Sequence, residues 1–373
     1  MCLFFNCTGS LCFILILFTL PHLTCTMKCP NGCQCNPDGG VLCVGYTITD
    51  IPKQLPVNTY LLVLTKSHLH TIHPQAFHVA PQLKSVQLSN NDLSTLPARV
   101  FSPLTTLEEL HLNGNQLETI ASEMFDGLVG LLVLDLSRNK LTSPPSNVFN
   151  GLINLNFLNL GRNSIKKELP SDLFCCLPNL KNLSLKFNNL HHLHPQLFSR
   201  LTALGMLFLN DNKLQNLPEY IFQGLGQLFT INLKNNHLQT LPGDVFLSNT
   251  ALRALDLSGN PWDCTCSIRG IARWIRHNEH VVTDKEDVIC HSPMYQMLRT
   301  IGSLRDEEFN FCDATRVPSY FPTQNDLHEP TQPFHTISTD RQRSGSATMP
   351  PTTTSTTPVS PLLCVLWSNP VIT

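Results

Sequence analysis

The segments LKSVQLSNNDL (from Leu83), LEELHLNGNQL (Leu107), LLVLDLSRNKL (Leu131) and LNFLNLGRNSI (Leu155) share one template, which returns at Leu180, Leu204, Leu228 and Leu252. It reaches back to TYLLVLTKSHL at Thr59, where Ser67 stands in the place of an asparagine. The period is 24 residues, with one step of 25 between Leu155 and Leu180, the extra residue falling near Lys166-Lys167-Glu168. Few folds admit a fixed period over nine copies. Each unit must be one supersecondary element that stacks on its neighbours, which makes a solenoid.

The residues inside one unit agree. Leu110 and Leu112 have strand spacing and point to one side, while Glu109, His111 and Asn113 point to the other. An asparagine follows each strand where the chain turns: Asn91, Asn115, Asn139, Asn163, Asn188, Asn212, Asn236 and Asn260. A short amide side chain carries both donor and acceptor, so a stacked ladder of them can satisfy backbone groups at successive turns. A phenylalanine recurs about ten residues later, from Phe77 through Phe101, Phe125, Phe149, Phe174, Phe198 and Phe222 to Phe246. These leucines, asparagines and phenylalanines are read as structural. One repeat cannot bury enough surface to stand alone, so the two end repeats need covers.

The cysteines supply the covers. Eight of the 15 form two groups, Cys29/Cys33/Cys35/Cys43 before the repeats and Cys264/Cys266/Cys290/Cys312 after them. Such groups on an exported chain read as disulfide frameworks rather than zinc sites, because C-x3-C-x-C-x7-C lacks paired C-x2-C knuckles. Spacing alone allows three pairings per group. In SIRGIARWIRHNEH, Ile268, Ile271 and Ile275 recur at helical spacing beside Trp274, which predicts an amphipathic helix over the last repeat.

The template L-x-x-L-x-L-x-x-N-x-L resembles the leucine-rich repeat. The two cysteine groups, with NPWDCTC and the Trp274 helix, resemble the N- and C-terminal caps of extracellular leucine-rich repeat proteins. Serum leucine-rich glycoproteins, the non-catalytic subunit of carboxypeptidase N, platelet glycoproteins of the Ib/V kind and variable lymphocyte receptors share this plan. The resemblance implies an α/β solenoid, a horseshoe of about nine repeats with a parallel inner sheet and disulfide-stapled ends. It also implies pairing of first with third and second with fourth cysteine: Cys29–Cys35, Cys33–Cys43, Cys264–Cys290 and Cys266–Cys312. The organisation read from this is a signal peptide over 1–26, an N-terminal cap over 27–58, repeats over 59–260, a C-terminal cap over 261–313 and a tail over 314–373.

The ends of the sequence carry the export reading. Leu11 to Leu20 is apolar, too short to span a bilayer core of about 30 Å, and reads as a secretory signal although no Lys or Arg precedes it. The tail is rich in Pro, Thr and Ser, reads as an extended stalk, and ends in an apolar run, Pro361 to Trp367, too short for a membrane span. The expected location is therefore secreted and extracellular, with membrane attachment only in an anchored form.

The strand residues that face away from the core are free to recognise something. Most are small or polar; the exceptions are Phe157, Met206 and Phe208, with Phe187 and Phe229 at the strand margins. Exposed aromatics among polar groups suit a protein-binding hot spot. The expected partner is an extracellular protein, and the expected contacts are Phe157, Met206, Phe208, Asp135, Lys186 and His111. Asn182-Leu183-Ser184 is a glycosylation sequon on the same face. Arg269, Arg273 and Arg276 offer a basic stripe for a sulfated glycosaminoglycan, although a solvated helix face is the simpler reading. A net charge of −2 gives no reason to expect nucleic acid. No cofactor or metal is expected: His68/His70/His73 and His191/His192/His194 lie in turns of distant repeats with no evident carboxylate or cysteine partner. No catalytic constellation is present in the sequence, so a recognition protein is expected rather than an enzyme. The alternatives are a scaffold subunit of an extracellular enzyme and a stalked adhesion or immune receptor.

Overall fold

The computed structural model describes residues 29–45 and 48–313. The signal and the stalk-like tail expected from the sequence lie outside the described residues. The chain divides into two units, 1–306 and 307–373. All that follows concerns the first. In the second, described only over 307–313, the chain continues a 3-10 helix that runs Asp306–Cys312.

The first unit is a solenoid built on one 11-stranded sheet. A hairpin of β1 (Cys33–Cys35) and β2 (Gly40–Val44) starts it, antiparallel, and β2 then pairs in parallel with β3 (Leu61–Thr65). Each repeat adds one parallel strand: β4 (Ser85–Gln87), β5 (Glu109–His111), β6 (Val133–Asp135) and β7 (Phe157–Asn159). The 25-residue repeat adds a second, two-stranded sheet outside the first, pairing β8 (Lys166–Lys167) with β10 (Asn189–Leu190). The main sheet continues with β9 (Asn182–Ser184), β11 (Met206–Phe208), β12 (Thr230–Asn232) and β13 (Ala254–Asp256). The strand centres, such as Leu110, Leu134, Leu158, Leu183 and Leu207, are fully buried, and the residues on either side of them are mostly half-exposed.

The asparagines form the ladder. Asn139 shows the pattern: its Nδ2 donates to Leu112 O and Leu136 O, both at 3.0 Å, and its Oδ1 accepts from Leu117 N at 3.1 Å. Asn115 and Asn163 repeat it one turn away on each side. The residue before each ladder asparagine is left-handed, from Asn90 (φ 56°) through Arg138 (φ 53°), Arg162 (φ 55°) and Phe187 (φ 54°) to Gly259 (φ 70°). Only glycine adopts this conformation freely; the repeat imposes it on arginine and on phenylalanine.

Behind the sheet the phenylalanines make a second column. Phe125, Phe149, Phe174 and Phe198 stack at centroid separations of 6.2, 6.4 and 6.3 Å. Phe246 stacks on Phe222 at 5.7 Å and meets Trp274 of the cap at 5.1 Å, so the column runs into the terminal helix.

That helix, α1 (Arg269–His277), buries Ile271, Ala272 and Ile275, with Ile268 buried just before it. It approaches the last repeat through glycine: a Cβ on Gly270 would stand 2.8 Å from Gly243 Cα, and the reverse contact is also 2.8 Å. Next to it β14 (Trp262–Asp263) pairs with β15 (Cys290–Ser292). The open edge of β13 is closed without a further strand in the sheet. Asp284 takes Leu257 N at 3.0 Å and Ser258 N at 2.8 Å, while Leu255 N donates to Val281 O at 2.9 Å. A carboxylate thus saturates amide groups that would otherwise template another chain.

Disulfides close both ends: Cys29–Cys35 and Cys33–Cys43 in the hairpin, and Cys264–Cys290 where β14 leads out to β15 in the C-terminal cap. Cys266 is also disulfide-bonded. The vicinal pair in the fifth repeat divides its roles. Cys176 is buried and disulfide-bonded, and Cys175 is half-buried, with burial first and Asp172 second pushing its thiol above the ordinary value.

Candidate functional site

The parallel register sorts the open sheet face into rows. One row runs Glu109, Val133, Phe157, Asn182, Met206, Thr230, Ala254, and the next runs His111, Asp135, Asn159, Ser184, Phe208, Asn232, Asp256. Phe157, Met206 and Phe208 are half-exposed, as are Asp135, Lys186 and His111. The register puts β9 between Phe157 and Met206, with Asn182 directly flanked by both. Strands spaced about 4.8 Å apart therefore hold the two apolar groups about 10 Å apart.

Much of the polar surface around them is internally bonded. Asp135 Oδ1 accepts from Ser137 N at 2.9 Å, and Asn159 Oδ1 accepts from Gly161 N at 3.0 Å. Asn232 donates to Asp256 at 2.6 Å. Ser85 Oγ donates to Glu109 at 2.9 Å, and His111 Nε2 lies 3.8 Å from the same carboxylate oxygen. The Lys186 ammonium stands 5.9 Å from the Phe208 ring centroid, at the outer limit of a cation–π contact of about 6 Å. The Arg162 guanidinium covers Phe187 at 4.0 Å. Phe229, 40% exposed, lies so close over Gly205 that a Cβ there would be 2.6 Å from the ring. The face therefore has a polar, self-satisfied part and a partly apolar part on β7, β9, β11 and β12.

Two arrangements were not legible in the sequence. Arg273 Nε and Arg276 Nη2 both bind Asp306, at 2.9 and 2.8 Å, and Arg276 also donates to Leu304 O. The hydrogen bond from Arg276, opposed by partial burial and reinforced by Arg273, holds Asp306 below its ordinary pKa of 3.8. Two of the three cap arginines are thus tied down by a carboxylate 30 or more residues away. The C-terminal cap also exposes Met294 (86%), Tyr295 (70%) and Leu298 (72%), a second apolar surface without periodic signature. Separately, His68 and His70 in the first repeat have a carboxylate beside them: His68 Nδ1 is 3.0 Å from Asp92 Oδ2 of the next repeat.

Known proteins resemble this arrangement. The family described as Leucine rich repeat matches residues 58–117, 105–165, 166–214 and 206–261. These segments cover more than half the sequence, and the chain belongs to the leucine-rich repeat family. Vasorin of Xenopus tropicalis is 33% identical over 78 residues, 20% of this chain and 12% of that protein. Human SLIT and NTRK-like protein 6 is 33% identical over 89 residues, 24% and 10% of the two chains. Human leucine-rich repeat-containing protein 3B is 35% identical over 86 residues, 22% and 33% of the two. The matches thus span a third or less of each relative's length. Among solved structures, human 5T4 (trophoblast glycoprotein) is similar over 76% of this chain and 98% of its own, with TM-score 0.56 and 24% identity. Toll, in its Drosophila complex with Spatzle, is similar over 69% of this chain and 37% of its own, with TM-score 0.61 and 24% identity. Both likenesses are of fold. No enzyme family is indicated by these comparisons.

Proposed function

We propose that this is an extracellular, non-enzymatic recognition protein that binds another protein through the open face of its repeat sheet. One observation carries the reading: Phe157, Met206 and Phe208 stand half-exposed in neighbouring rows of a sheet face whose other side chains are mainly small or polar, several of them bonded to nearby backbone amides or to each other. Large apolar side chains surrounded by a polar rim are what a desolvated binding centre requires. Lys186, Asp135 and His111 form the polar part of that rim. Disulfides at both ends of the solenoid belong to an oxidising compartment, which supports the extracellular location. The Toll–Spatzle complex offers a precedent for protein recognition on this fold.

Asn182 lies at the centre of the patch, so a glycan there and a protein partner would compete for one space. Glycosaminoglycan binding at α1 would require Arg273 and Arg276 to leave Asp306, and the helix serves better as a cap.

The test is to immobilise the secreted chain, collect partners from serum and cell-surface extracts, and run a Phe157→Asp/Phe208→Asp variant in parallel. A partner captured by the native chain and lost in the variant supports the reading. A partner retained by the variant moves the site elsewhere. Stoichiometric co-purification with an active enzyme favours the scaffold alternative, and recovery of the chain in the membrane fraction favours the anchored receptor.

A further inference from the structure

We propose that His68, His70 and Asp92 form a surface site for a divalent transition metal ion, with zinc the ion whose chemistry fits best. The three ligand atoms lie within 4.8 Å of one another. A tetrahedral zinc with bonds of about 2.0–2.1 Å needs its ligand atoms about 3.3 Å apart. His68 Nδ1 and Asp92 Oδ2 already stand 3.0 Å apart, and the two imidazole rings are parallel, 7° from coplanar orientation, with centroids 6.3 Å apart. Both histidines are exposed and Asp92 is half-exposed, so small side-chain rotations bring the set to metal distance without disturbing the core. Two imidazoles and one carboxylate suit zinc, copper or nickel; calcium and magnesium require mostly oxygen ligands. Water completes the coordination.

The backbone of the site is held in advance. His68 and Asp92 are the same position of consecutive repeats, each directly after the ladder position. Ser67 N donates to Asn91 Oδ1 at 3.0 Å, and Asp92 N donates to Leu69 O at 3.1 Å. The bonds on both sides of His68 therefore fix the spacing between the two repeats that carry the ligands. The same position elsewhere is Gln116, Lys140, Ser164, Asn189, Lys213, His237 and Pro261, so an imidazole meets a carboxylate only in the first pair. His191 is the counterpart of His70 in a later repeat, and its Nδ1 instead meets Asn189 O at 2.9 Å. Asp92 lies one 24-residue period from His68, so the repeat register brings the carboxylate beside the imidazole although the two are far apart along the chain.

The test is calorimetric titration of the full secreted chain with zinc chloride, alongside His70→Ala, Asp92→Asn and His191→Ala. Removing even supporting groups of a metal site weakens binding about 10–100-fold, so losing a direct ligand should cost at least about tenfold. Native protein and His191→Ala should bind zinc alike, with His70→Ala and Asp92→Asn at least about tenfold weaker. Zinc X-ray absorption should show imidazole scattering, and calcium should give no heat of binding. Circular dichroism in chelator should be the same for all four proteins. Unchanged zinc affinity in both His70→Ala and Asp92→Asn overturns the assignment, as does a zinc spectrum without imidazole.

Discussion

Replacing Asn139 tests the ladder at its centre. In Asn139→Ala four contacts vanish, one at Oδ1 and three at Nδ2, but their consequences differ: Ser137 O keeps a bond from Gly114 N at 2.9 Å. Leu112 O keeps a bond from Asn115 Nδ2 at 2.9 Å, and Leu136 O keeps one from Asn163 Nδ2 at 3.0 Å. Leu117 N donates to Asn139 Oδ1, so this buried amide is stranded. An orphaned buried N–H costs about 1–3 kcal/mol, and each partly replaced bond about 0.5–1.5 kcal/mol, giving a loss of about 3 kcal/mol in all. Asn139→Asp separates donor from acceptor. It still accepts from Leu117 N, but it presents a buried carboxylate to three carbonyl oxygens that were receiving a donor. The destabilisation should equal or exceed that of alanine. Guanidinium unfolding followed by circular dichroism, compared at equal slope, measures both. A stability of Asn139→Asp equal to the native protein's would refute the view that Nδ2 donation holds successive turns together.

Gly270→Ala should improve an isolated helix by about 1 kcal/mol but destabilise this protein, because the new methyl meets the Gly243 backbone at 2.8 Å. A raised melting temperature would contradict that packing. Asp306 carries the acid sensitivity of the cap. Its folded pKa is depressed, so the stabilisation is fully present above the ordinary value of 3.8 and is lost as the pH falls through the folded value. Asp306→Asn should lower the melting temperature at neutral pH and flatten its fall below that value. An unchanged pH profile would mean the arginine pairs contribute nothing. Asn182→Gln should leave the mass of the glycosidase-treated protein almost unchanged, and should remove a glycan-sized difference beforehand if the sequon is used; a partner bound better by the variant shows that the glycan competes for the patch.

The repeating part of the fold was readable because the solenoid makes local and global signals coincide. Each leucine, asparagine and phenylalanine position recurs, so one repeat explains the next. The helix at Arg269–His277 was legible for the same reason, from isoleucines at helical spacing. What escaped has no period. Arg276 and Asp306 are 30 residues apart within the cap, and Asp284 reaches the edge of β13 from a segment without a motif. The left-handed turn before each asparagine was also hidden, since glycine holds it at Gly114 and Gly259 but arginine, asparagine, aspartate and phenylalanine hold it elsewhere. On the open sheet face, periodicity gave which side chains point outward. The fixed period also put Asn182 between Phe157 and Met206, but it could not give that Phe229 lies on Gly205, because that depends on side-chain packing between strands.

The most direct test of the central claim is the affinity of a captured partner for three forms of the chain: native, Phe157→Asp/Phe208→Asp on the sheet face, and Met294→Asp/Tyr295→Asp on the C-terminal cap. Two hot-spot aromatics lost together cost 2 kcal/mol or more, so the sheet-face variant should bind at least about 30-fold more weakly, with the cap variant near native. Native affinity in the sheet-face variant, with loss in the cap variant, would contradict the assignment and place recognition on the exposed cap segment instead.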